Sequence, residues 1–190
     1  MKKGQKIYGL SRRKFLFQLA FFGSSVLISF SACKEIVRRR RKKSILTLSK
    51  KEKEILHHVQ LHLLPENKGG PGANEINALQ YIEWVLSDPN VLLIKRKLVI
   101  NGIQWTKETA DDMFGNPFAS LDHTQKEKVL RDLETYSNGR RWIITIINYL
   151  LEALLGDPVY GCNTEEIGWK WLGHHPGFPR PAINKMYSVS

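Results

Sequence analysis

The stretch from Trp142 to Leu154 constrains the fold of this chain more than any other. Trp142, Ile143, Ile146, Ile147, Leu150, Leu151 and Leu154 recur at the spacing of an α-helix. A helix this apolar is expected to be the central helix of a core. Gly156 is a natural C-cap, and Asp157-Pro158 forbids continuation, because the residue before a proline avoids helical dihedrals. The rest of the fold must supply cover for that helix.

The flanking segments read as further helices. Ser49-x-x-Glu52 is a capping-box pattern opening an apolar series at Ile55, Leu56, Val59 and Leu63, which Pro65 stops. Glu66 to Gly72 is turn chemistry. A second helix carries Ile76, Leu79, Ile82 and Val85 or Leu86 on one face and ends before Asp88-Pro89. A third is expected from about Val91 to Met113, where Gly102 offers a break, and Gly115-Asn116-Pro117 ends it. Asp122-x-x-Gln125 is a second capping pattern, opening a helix with Val129, Leu130 and Leu133 on one side. Ser137-Asn138-Gly139 reads as a turn, and a tail of Gly, Pro and aromatics closes the chain as irregular structure. No run alternates apolar and polar residues as a half-buried strand would, and no repeat or nucleotide fingerprint occurs. The expected class is all-α: a single compact helical domain over residues 46–190 with an irregular tail.

The net charge of +11 invites a nucleic-acid reading, and its distribution argues against one. Residues 1–32 carry +6 and residues 33–43 another +6, which leaves residues 44–190 at −1. Binding to a phosphate backbone requires a basic face on the folded body. Here the excess belongs to the N-terminal end, so no nucleic-acid partner is expected.

That end has a pattern of its own. Ser11-Arg12-Arg13 is followed by Lys14, Phe15 and Leu16, and an apolar run extends from Phe15 to Ala32. The arginine pair with Ser11, Phe15 and Leu16 matches a twin-arginine export signal, although Phe17 stands where Lys is usual. Residues 1–32 are read as the signal and 33–45 as a basic linker. The apolar run sits at the lower limit for a membrane span. Cys33 follows Ser31-Ala32 and is a candidate lipidation site. Cleavage with lipidation, plain cleavage and retention as an anchor all remain open. The Arg38–Lys43 block is either a solvated linker or a contact with anionic lipid. With only Cys33 and Cys162, the chain is not a disulfide scaffold and lacks haem attachment through Cys-x-x-Cys-His.

Catalytic and metal motifs are sparse. His58 and His62 share a helix face at the spacing of two metal ligands, without a third ligand or an intervening carboxylate. They are read as ordinary helix histidines. His174-His175 has no ligand cluster around it, and Asp111-Asp112 diverge on a helix and form a solvated face. Neither a nucleophile elbow nor a phosphate loop is present. The C-terminal block holds the remaining signal: Asp157-Pro158-Val159-Tyr160-Gly161-Cys162-Asn163, then Gly168-Trp169-Lys170-Trp171-Leu172-Gly173 and His174-His175-Pro176-Gly177-Phe178-Pro179. Such a tail either wraps the domain's own helices or presents an interface, and the two are compatible.

Several of these residues carry a resemblance. They are Leu64-Pro65, Pro71-Gly72-Ala73 ahead of Tyr81-Ile82, Asn101-Gly102-Ile103, Phe118-x-x-Leu121, and the Asp157-Pro158-x-Tyr160-Gly161 to Gly168-Trp169 block. Over about residues 46–180 the chain resembles the gluconate 2-dehydrogenase subunit 3 family. These are small subunits of membrane-associated, FAD-dependent sugar and alcohol dehydrogenases. Cys162 stands where the family more often has Gly, and His174-His175 where apolar or aromatic residues are usual. The resemblance implies a non-catalytic subunit without a cofactor of its own, with FAD held by a large flavoprotein partner. It also implies a role in maturation and folded-state export of that partner through the twin-arginine translocon. A cytochrome subunit often accepts the electrons. The implied location is the periplasmic side of the inner membrane. Asp157, Pro158, Tyr160, Gly161, Gly168, Trp169 and Trp171 are then candidates for the partner interface. The alternative is a free-standing exported lipoprotein.

Overall fold

The computed structural model describes residues 47–180 apart from Lys68. The twin-arginine residues, the apolar run, Cys33 and the basic linker lie outside the described residues. Among the described residues six α-helices follow one another: α1 (Lys50–Leu63), α2 (Ala78–Ser87), α3 (Leu93–Phe114), α4 (His123–Thr135), α5 (Ser137–Leu155) and α6 (Ile167–Leu172). Short 3-10 turns cover Phe118–Ser120, Pro158–Tyr160 and Thr164–Glu166. No strand occurs among the described residues, and the fold is all-helical.

Both capping boxes form. The Ser49 hydroxyl accepts from the Glu52 N–H at 3.3 Å, and the Ser49 N–H donates to Glu52 Oε2 at 2.7 Å. Asp122 and Gln125 close the same reciprocal pair at the start of α4, at 2.8 and 3.1 Å. Each box satisfies N–H groups that a helix start leaves unpaired.

Helix α3 packs against α1, α4 and α5, while α2 and α6 pack on α5. The core runs through Leu56 and Val59 of α1, Ile82 of α2, Val99 and Ile103 of α3, Val129 of α4, and Trp142 and Ile146 of α5. Phe118, in the 3-10 turn before α4, is fully buried.

Four local expectations need correction. Helix α3 is continuous through Gly102, where a Cβ would stand 2.1 Å from the Trp142 ring. The glycine admits an indole rather than breaking a helix. Ser137-Asn138-Gly139 is the first turn of α5, not a linker. Tyr136 alone, in extended conformation, separates α4 from α5, and Gly139 lets the new helix start against the Leu133 carbonyl. Ile76 is buried, but it precedes α2 in a turn. Finally, α5 is covered on one side only, for Ile147 and Leu151 are exposed.

Candidate partner interface

The C-terminal tail is held by a small set of polar contacts around the end of α5. The chain leaves α5 through Gly156 in extended conformation, and Asp157 Oδ1 accepts from the Val159 N–H at 3.0 Å, capping the Pro158–Tyr160 turn. Gly161 follows in the left-handed region at φ 79°. Asn163, fully buried, then connects three segments. Its backbone N–H donates to the Ile76 carbonyl at 3.0 Å, ahead of α2. Its side-chain Nδ2 donates to the Gly156 carbonyl at 3.0 Å, at the end of α5. Its Oδ1 accepts from the Gly168 N–H at 2.7 Å, inside α6.

Asn163 itself is left-handed at φ 47°, a conformation asparagine tolerates better than most residues. Glu165 and Glu166 share that region at φ 54° and 61°, so the segment is locally strained. Arg180 ties it down: Nη1 donates to Glu166 Oε1 at 2.6 Å and Nε to Asp157 Oδ2 at 3.2 Å. The same guanidinium lies 5.1 Å from the centroid of the Trp169 ring, within cation–π range.

The predicted tail is therefore less irregular than expected, because it contains α6. Gly168 lets that helix lie on α5; a Cβ there would sit 2.1 Å from the Leu154 carbonyl. Trp169 Nε1 donates to the Leu155 carbonyl at 2.7 Å, satisfying an acceptor that the end of α5 leaves free. His174 stands edge-on to Trp169, with ring centroids 5.7 Å apart.

The sequence-predicted interface residues divide by burial. Gly168 and Trp169 are buried, Asp157, Pro158, Tyr160 and Gly161 are half-buried, and Trp171 is exposed. The tail thus wraps the domain's own helices; of the predicted interface aromatics Tyr160 and Trp171 retain an outer face, and Phe178 further along the tail is exposed. Tyr160 packs tilted against Trp84, with ring centroids 4.9 Å apart, and Trp84 lies 5.7 Å from Tyr81. The Tyr81 hydroxyl donates to Glu152 Oε2 at 3.0 Å. Burial, then the Glu152 carboxylate, raises both Tyr81 and Tyr149 above the ordinary tyrosine range, so both remain neutral phenols. Burial also pushes the Cys162 thiol up to about 11.

His62 and His123 serve the packing of α1 on α4. His62 Nε2 lies 2.8 Å from Glu127 Oε2, and its ring centroid is 4.5 Å from that of His123. Hydrogen bonds from His62 and then Arg131 hold the Glu127 carboxyl below its usual range. Burial, with the Lys126 charge, lowers His58. Among the described residues no group of three or more His, Cys, Asp or Glu side chains is placed to hold a metal ion. Asp111 and Asp112 are exposed.

The sequence reading included Asn163 in the C-terminal block without giving it a role, and it did not single out Arg180. The only local hint was an asparagine two residues after a glycine, in a turn-rich stretch. The family model of gluconate 2-dehydrogenase subunit 3 matches residues 50–177, from the first residue of α1 into the tail. The chain belongs to that family. The subunit 3 match takes in every residue of the candidate interface, from Asp157 to Trp171. Subunit 3 is part of a dehydrogenase complex, so the family implies association with other subunits of that complex. No curated protein and no solved structure matches the chain.

Proposed function

We propose that this chain is the non-catalytic small subunit of an FAD-dependent sugar or alcohol dehydrogenase. In this reading it supports maturation and folded-state export of the large flavoprotein subunit. The observation that carries the reading is the family match over residues 50–177, joined to the twin-arginine pattern at Ser11–Leu16. A flavoprotein acquires FAD in the cytoplasm and must then cross the membrane folded. A partner bearing the export signal can take it through the twin-arginine translocon. The helical body clasps the large subunit and residues 1–32 direct the pair. At the periplasmic face, Cys33 is the candidate point of lipid attachment, and a cytochrome subunit receives the electrons.

FAD is assigned to the partner because the family is that of a dehydrogenase subunit, and the resemblance gives the flavin to the large subunit.

The test is co-purification. Tagged chain, extracted gently from membranes, should bring down a flavin-bearing subunit, and the chain alone should not oxidise sugars with an artificial acceptor. Replacing Arg12 and Arg13 by Lys should retain both proteins in the cytoplasm. Absence of a flavoprotein in the extract refutes the subunit assignment. Undiminished export of the flavoprotein with the Lys pair refutes the escort role.

A further inference from the structure

Helix α5 has two apolar faces, and the domain covers one. Trp142, Ile146, Leu150 and Ala153 face the core. Ile144, Ile147, Leu151 and Leu155 are between 39 and 51 % exposed. Their spacing sets them on one side of the helix, as an unbroken stripe over three turns. A helix that is apolar on opposite faces belongs in an environment that buries both.

The stripe adjoins two hollows. One, of about 410 Å3, lies between α3 and α5, with Leu98 and Trp105 in its wall. Lys95, Lys97 and Arg141 also line it, and none of the three forms an ion pair among the described residues. The other, of about 600 Å3, is lined by Trp84, Tyr160, Leu151 and Leu155. Asn148 and Glu152 border both hollows, so the two form one trough. It combines aromatic walls, an apolar floor and three cations facing a single carboxylate, Glu152.

We propose that this trough is the docking surface for the large flavoprotein subunit, filled by an apolar segment of that subunit bearing acidic side chains. The inference rests on the subunit assignment above. Charge complementarity selects the occupant, because like charges brought together at an interface are penalised. The chain's own basic linker, at +6, is mismatched to a cationic trough, and its apolar run is flanked by Lys and Arg. A second copy would bring the same cations. Trp84 and Tyr160 provide the aromatic anchors that interfaces favour.

The test uses the full chain in its detergent-extracted complex, with flavin fluorescence co-eluting with the tagged chain as the readout. Leu151→Glu and Leu155→Glu, both in the trough lining, should each lower the recovered flavin by about tenfold or more, the loss expected when an interface anchor becomes a charge. Phe178→Glu, at an exposed apolar site that lines neither hollow, should leave recovery unchanged. Lys95→Glu with Arg141→Glu should reduce recovery and flatten its salt dependence. A photo-crosslinking residue at position 151, which introduces no charge, should form its adduct with the flavoprotein. Full recovery with both glutamate variants overturns the trough assignment and leaves the subunit assignment standing. An adduct with a second copy, or with the chain's own N-terminal segment, overturns it as well. If the unaltered chain recovers no flavin, the subunit assignment itself fails.

Discussion

Asn163→Ala is the most informative single perturbation of the tail. The substitution removes two side-chain hydrogen bonds, to the Gly156 carbonyl and from the Gly168 N–H. Each such bond contributes about 1 kcal/mol net. The Gly168 N–H is left buried without its acceptor, which adds about 1 kcal/mol at the low end of that penalty. Alanine must also hold φ near 47°, at about 1 kcal/mol. The combined loss is about 3–4 kcal/mol. Asn163→Gly loses the same hydrogen bonds without the steric penalty of the left-handed backbone, so it should be about 1 kcal/mol less harmful.

Equilibrium urea unfolding of the purified protein measures both variants. Maleimide labelling of Cys162, next in sequence and buried, reports whether the tail opens before the body unfolds. A change below about 0.5 kcal/mol for Asn163→Ala would refute the view that this side chain fastens the tail. Equal values for Ala and Gly would refute the backbone part of the argument.

Gly102→Ala separates two opposed effects. Helix propensity alone predicts a gain of about 1 kcal/mol, whereas contact with the buried Trp142 ring predicts a loss of about 3 kcal/mol, the upper end for overpacking. We expect net destabilisation of about 2 kcal/mol, a fall in Tm of roughly 6–10 °C by thermal scan; a rise would mean that the indole shifts freely. Glu127 is held below its ordinary value of 4.5 by His62 and Arg131, so its contribution is present above that pH and lost as pH falls through the folded value. The stability gap between the unaltered protein and Glu127→Gln should therefore narrow on acidification, read as Tm against pH. Cys162, with its thiol at about 11 and its surface buried, should resist maleimide at neutral pH in the native protein and react on unfolding.

Much of the helical framework was legible because it is local. The boxes at Ser49–Glu52 and Asp122–Gln125, the stop at Pro65 and the break at Asp157-Pro158 act within a few residues, and the structure places helix ends at each. Glycines were read less well, because their role depended on what approached them. Gly102 and Gly139 look like punctuation in one dimension; in three they are points of contact for Trp142 and the Leu133 carbonyl. Within the candidate interface, Trp169 and Trp171 sit two residues apart in one short helix. One became an internal anchor and the other kept an exposed face. Asn163 carried no pattern, since its partners at Ile76 and Gly156 belong to the ends of other elements.

By itself the sequence determined where α1 and α4 start and where α1 and α5 stop, and that the basic excess belongs to residues 1–43 rather than the body. Both follow from neighbouring residues alone. Only the tertiary structure decided which side of α5 is interior. Ile146 and Ile147 are the same residue at adjacent positions, one fully buried and the other exposed. Hydrophobicity states that a side chain gains by leaving water; the packing of the other helices decides which side chains can do so within one chain, and which await a partner.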